Sequence, residues 1–177
     1  APSPAPPARP SVTVVANRPR SPGEPVSATT PVNTDRIRTM LSDRDVSFGE
    51  YDESELVVPT RNAVYFWNTS NPQILQLRAQ WRGVAENDAQ FSALVEEVAK
   101  CNSTRTGPKA YLAPFEDGRR YGLVAECDVV AMEGLAPAQL DAFCETSMSM
   151  IMSFLTDLED ALPDFVDWSD ESEEDRA

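Results

Sequence analysis

Histidine is absent from all 177 residues. That removes the usual proton shuttle of neutral pH and the commonest metal ligand. Triads built on His and zinc sites that need it are therefore excluded. Cysteine is scarce. Cys101, Cys127 and Cys144 are widely spaced, and no C-x-x-C pair exists. They read as three small buried thiols in a reducing compartment, not as a disulfide framework. No apolar run approaches the roughly 20 residues of a membrane span. The short run 12–16 is flanked by prolines and lacks the core of a signal peptide. Basic charge is in short supply too, with 15 Lys+Arg against 29 Asp+Glu and a formal net charge of −14. Such a surface repels phosphates, which argues against a nucleic-acid partner. The expectation is a soluble cytoplasmic protein with no membrane partner.

What is present divides into three parts. Residues 1–32 hold nine of the 15 prolines, and Arg9, Arg18, Arg20 and Glu24 leave this stretch at +2. Proline removes backbone donors, so a disordered, Pro-rich arm is expected. It reads as a linker, with a recruitment motif as the functional alternative. Residues 164–177 are expected to form a disordered acidic tail, with Asp164, Asp167, Asp170, Glu171, Glu173, Glu174 and Asp175 against Arg176 alone. Phe165 and Trp168 are its apolar exceptions, and it lacks the glycine and ligand spacing of a calcium loop. Residues 33–163 are long enough for one core.

Within that core, Asn33 or Thr34 caps a short helix carrying Ile37, Met40 and Leu41 on one side. Three strands are expected next, at 46–51, at 57–67 with an interruption near Pro59 and Asn62, and at 74–82. The third is the clearest: Leu75, Leu77, Ala79 and Trp81 alternate with Gln76, Arg78, Gln80 and Arg82, so one face is buried and one wet. A second helix at 88–101 opens with a capping-box pattern from Asn87 to Gln90 and carries Phe91, Leu94, Val95, Val98 and Cys101 as its stripe. Asn102, Gly107 and Pro108 end it. Strands 110–115 and 121–130 flank Asp117-Gly118, a hairpin signal. A long helix at 137–162 starts on a proline and presents a broad apolar face from Leu140 to Leu162. Met152 falls outside that face.

These residues carry a family resemblance. The strand Ile74 to Arg82, the helix ending in Asn102, Pro108-Lys109-Ala110-Tyr111, Ala125-Glu126, Gly134, Gln139-Leu140, Phe154, Leu158 and Pro163 occur in the order seen in YbjN-domain proteins. The chain resembles the actinobacterial type of that family, described as sensory transduction regulators, over about 33–163. One departure is visible: Ser103 and Thr104 stand where the family often has an aromatic and a second Asn. The resemblance implies an α+β fold like that of class I type III secretion chaperones. Its order would be α-β-β-β-α-β-β-α, with an antiparallel sheet and the helices mainly on one face. It implies no enzyme activity and no cofactor.

No residue set stands out as catalytic or metal-binding. Asp52, Glu53 and Glu55 read as a charged turn, since paired carboxylates do acid–base work only in a cleft that separates their pKa values. Lys109 is either a buried, activated base or, the preferred reading, a cap or ion-pair partner. Gln76, Arg78, Gln80 and Arg82 form a polar row. It is either a solvated face or a recognition face whose two guanidiniums would grip a partner's carboxylates. With Lys109, and Met152 on the last helix, these are the candidate partner-binding residues. The function expected is a non-enzymatic protein-interaction module, chaperone-like or a regulatory adaptor, binding a protein client and open to homodimerisation. The alternative is a small-molecule sensor or enzyme with a pocket between the last helix and the sheet. A purely structural role is a third.

Overall fold

A computed structural model describes residues 28–168. Helix α1 (Thr34–Ser42) begins at Asn33, whose side chain accepts from the Arg36 amide at 2.9 Å. Its apolar side, Ile37, Met40 and Leu41, is buried. Strands β1 (Gly49–Asp52), β2 (Glu55–Pro59), β3 (Ala63–Asn68) and β4 (Ile74–Ala85) follow as an antiparallel meander. The interrupted strand expected at 57–67 is thus two strands. Pro59 ends the first, and the Thr60 hydroxyl closes the turn by donating to the Ala63 carbonyl at 2.9 Å. Helix α2 (Asp88–Thr104) starts at Asn87, which accepts from the Gln90 amide. It runs on through Asn102 instead of stopping there. The Asn102 side chain clamps the next strand, donating to the Ala110 carbonyl at 2.8 Å and accepting from the Ala110 amide at 2.9 Å. Strands β5 (Lys109–Pro114) and β6 (Tyr121–Val130) form the expected hairpin. The Asp117 carboxylate accepts from the Arg119 and Arg120 amides at its turn, which holds its pKa down at about 2. Helix α3 (Pro137–Ala161) and one 3-10 turn, Pro163–Phe165, complete the order.

The sheet order is β1-β2-β3-β4-β6-β5, antiparallel throughout. Because successive side chains point to opposite faces, the register sorts residues into rows. Leu56, Trp67, Leu77 and Cys127 form one inward row. They join Ile37, Leu94, Ile151, Leu155 and Leu158 from the three helices in a single core. The helices therefore cover one face, as an α+β fold of this type requires. Val95, expected in the α2 stripe, is 42 % exposed. Helix α2 lies over the β5 edge, so only a narrow strip of it meets the sheet. The three cysteines are free and buried, and burial pushes each thiol up.

The folded body extends past both expected boundaries. Thr30 pairs with Leu135 through bonds of 3.3 and 3.0 Å. At the other end Phe165 and Trp168, expected in the tail, pack on Trp81 with ring centroids 5.7 and 5.6 Å away. The remaining arm and tail residues, 1–27 and 169–177, lie outside the described residues. Gly134 makes the Thr30 contact feasible. Its φ is +74°, and a Cβ there would sit 2.3 Å from the Thr30 carbonyl oxygen. Gly134→Ala is expected to cost about 1–3 kcal/mol from backbone strain, read by urea denaturation. A neutral result would mean that Gly134 does not hold this left-handed conformation against Thr30.

Candidate functional site

The outward face of the sheet carries three cross-strand rows. Glu55, Asn68, Gln76 and Asp128 make the first. Val57, Phe66, Arg78, Glu126 and Lys109 make the second. Pro59, Val64, Gln80, Val124 and Tyr111 make the third. Gln76, Arg78 and Gln80 therefore stand one per row on β4, as their alternation predicts, and Lys109 joins them across β6. Arg82 lies within the stretch of β4, between Gln80 and Val84, where the register with β6 shifts. Met152 is 55 % exposed on α3, on the helical side of the molecule, and the fold does not bring it to the other five.

Two carboxylates on this helix-free face are nevertheless buried, Glu55 at 5 % and Glu126 at 7 % exposure. Each is held by a cation and a neutral donor. Glu55 accepts from Arg78 Nη2 at 3.2 Å and from the Asn68 side-chain amide at 3.1 Å. Glu126 accepts from Lys109 Nζ at 2.6 Å and from the Tyr111 hydroxyl at 2.9 Å. The Arg78 guanidinium also lies 4.7 Å over the Phe66 ring, which meets Tyr51 edge-on at 6.1 Å. Charge-assisted bonds of this kind offset the desolvation of a carboxylate.

This geometry changes the reading of the polar row. Arg78 is engaged by Glu55 and Phe66, and Arg82 gives Nε and Nη2 to the Thr60 carbonyl at 3.1 and 3.0 Å. Arg78 is thus already paired with a carboxylate, whereas Arg82 is held by a backbone carbonyl and has no ion pair among the described residues. Lys109 is no activated base, since its bond to Glu126 raises its pKa. Glu55 leaves the expected charged turn for the strand face, while Asp52, the last residue of β1, closes that turn, accepting from the Ser54 amide and hydroxyl at 2.7 and 2.9 Å. Within the three rows, Gln80 and Asp128 are the exposed polar residues without a salt bridge or side-chain hydrogen bond among the described residues. Next to Asp128, Ile74 and Val130 pair across β4 and β6 and are exposed.

Burial first and Glu126 second push the Tyr111 phenol up to about 12. Tyr111 and Lys109 both hold their protons more tightly in the folded chain. Their stabilisation is complete below their unfolded values, about pH 10, and is lost as pH rises through the folded ones. Burial raises Tyr65 as well, so an ultraviolet titration is expected to show more than one late-ionising tyrosine, with the step at about pH 12 lost in Tyr111→Phe. A titration unchanged by that substitution would contradict the buried pairing.

Glu126 and Tyr111 were visible in the sequence only as members of a family pattern. Their roles depend on the pairing of β6 with β5. Among the described residues no group of His, Cys, Asp or Glu is placed to hold a metal ion, and no helix is long and apolar enough to cross a membrane.

Comparison with known proteins places this arrangement. No curated protein matches the chain. A solved structure described as "Crystal structure of YbjN, a putative transcription regulator from E. coli" is similar at 19 % identity and a TM-score of 0.65. The match covers 77 % of this chain and 97 % of that one. At this identity the likeness is one of fold. The family model YbjN, "Putative bacterial sensory transduction regulator", matches residues 33–160. With its family's model spanning most of its length, the chain belongs to the YbjN family.

Proposed function

We propose that the protein is a non-enzymatic interaction module, a chaperone-like or regulatory adaptor that binds a protein partner through the helix-free face of its sheet. One observation carries this reading: that face buries two ion-paired carboxylates although no helix lies over it. Ion pairs of this kind add little to stability, and their best use is to hold side chains in one arrangement. Here they hold Phe66, Arg78, Lys109 and Tyr111 as a preformed surface, which lowers the ordering cost of binding. The description of the family as a regulator agrees with a binding role. The net charge of −14 disfavours regulation by nucleic-acid contact, so the partner in this reading is a protein in the cytoplasm.

The test is co-purification of the tagged full chain from its native cells. Gln80→Glu with Asp128→Lys adds a negative charge at one exposed position and reverses the charge at another, and should leave folding intact. A partner retained by wild type and by Met152→Glu, but depleted at least about tenfold in the sheet-face variant, is expected. Equal recovery in all three would overturn the reading. A second copy of the chain is the competing occupant, and light scattering of the purified protein identifies it as a dimer.

A second reading, a small-molecule sensor, is favoured by a cavity between α3 and the sheet.

A further inference from the structure

The cavity lies where α1 and its following loop, the sheet and α3 meet. Leu41 and Val46 wall one side, Val58 and Trp67 form the floor, and Cys144 and Met148 close it from α3. Its volume is about 220 Å³. An enclosed apolar cavity of about 150 Å³ holds a benzene-sized molecule, so this one, with the Tyr65 phenol also in its lining, has room for a substituted aromatic ring or a short alkyl chain. Burial keeps the Cys144 thiol in its neutral form. No charge therefore lies within the walls.

Charge is confined to the mouth, where Arg44 and Glu145 are both exposed. Arg44 donates Nη2 to Asp141 at 2.7 Å and Nη1 to the Met40 carbonyl at 3.2 Å. A guanidinium has five N–H donors, so three of them have no partner among the described residues. Asp141 and Glu145 both act electrostatically on Arg44. An anionic ligand head would face those two carboxylates, and an ammonium head would face the guanidinium. A hydroxyl suits both signs, accepting from Arg44 and donating to Glu145.

We propose that this cavity binds a small neutral alcohol or phenol, with its apolar body between α1, α3 and the sheet and its hydroxyl at Arg44 and Glu145. The assignment deepens the sensor reading and rests on it, and it is independent of the adaptor reading. The experiment is calorimetric titration of the full chain with three probes that share a methylphenyl body: p-cresol, toluene and 4-methylbenzoate. Saturable p-cresol binding is expected, at least roughly tenfold tighter than toluene, the worth of its two hydrogen bonds at Arg44 and Glu145, with 4-methylbenzoate weakest. Val46→Phe fills the cavity and should abolish binding. Arg44→Leu with Glu145→Leu leaves the cavity and should equalise p-cresol and toluene, so the proposal stays testable if the filled variant misfolds. Equal binding of p-cresol and toluene by wild type would keep the pocket and the sensor reading but overturn the alcohol assignment. Tightest binding of 4-methylbenzoate would do the same. Failure of all three probes, or binding unchanged by Val46→Phe, would overturn the site itself.

Discussion

Arg78→Glu is expected to lose at least about 3 kcal/mol of stability, the lower end of the cost of breaking a buried ion pair. The lower end applies because the Arg78 side chain is about one third exposed, whereas that of Glu55 is only 6 % exposed. Removing the guanidinium leaves Glu55 with the Asn68 amide alone. The new carboxylate would also stand directly opposite Glu126 in the β4–β6 register. Glu55, Glu126 and the new carboxylate would then have Lys109 as their one nearby cation among the described residues, with Asp128 a fourth carboxylate on the same face. The Phe66 ring would lose the cation above it, an interaction worth about 0.5–2 kcal/mol. Gln80→Glu, on the next row, should change stability by less than about 0.5 kcal/mol. Urea denaturation of the two variants measures the difference. Equal stabilities would mean that Arg78 is a solvated surface residue and that the ionic rows do not organise the face. Charge reversal at Arg78 is thus a poor probe of binding, because it would disturb the fold first.

Trp168→Ala is expected to cost about 3 kcal/mol, the range for deleting a large buried aromatic. Trp168 is 7 % exposed and meets Trp81 edge-on, while Phe165 packs on the same indole. Trp81 is itself tied down. Its Nε1 donates to Glu159 at 3.0 Å, and the Asn62 side chain donates to the same oxygen at 2.7 Å. This cluster joins the β2–β3 turn, β4 and the end of α3, so loss of Trp168 should loosen all three. The buried Trp168 Nε1 has no partner among the described residues, which lowers the cost of removing it. Phe165→Ala should add a smaller loss that is not additive, because both rings lean on Trp81. Denaturation curves of the single and double variants check this. A Trp168→Ala variant as stable as wild type would return 164–168 to the tail.

The helices and the strongest strand were legible in the sequence because their signals are local. Asn33 and Asn87 cap as their positions suggest, Asp117-Gly118 turns the hairpin, and the alternation of β4 matches its burial. What stayed hidden depends on strand pairing. The inward set Leu123, Ala125 and Cys127 was readable from β6 alone. The burial of Val124 and Glu126 on the opposite face was not, because it needs Lys109 and Tyr111 from β5 and Arg78 from β4 alongside. Glu55 looked like part of an acidic turn, since nothing local reveals that Arg78, 23 residues later, lies beside it. Phe165 and Trp168 were obscured by the acidic residues around them, although two large aromatics in a charged tail are themselves a signal of docking.

The central claim is that the helix-free sheet face meets another protein. Site-specific photo-crosslinking in native cells tests it most directly, with the photoreactive side chain placed at Gln80 on that face or at Met152 on α3. The account predicts one discrete cross-linked protein from Gln80 and none from Met152. A cross-link from Met152 alone, or none from either position, would contradict it.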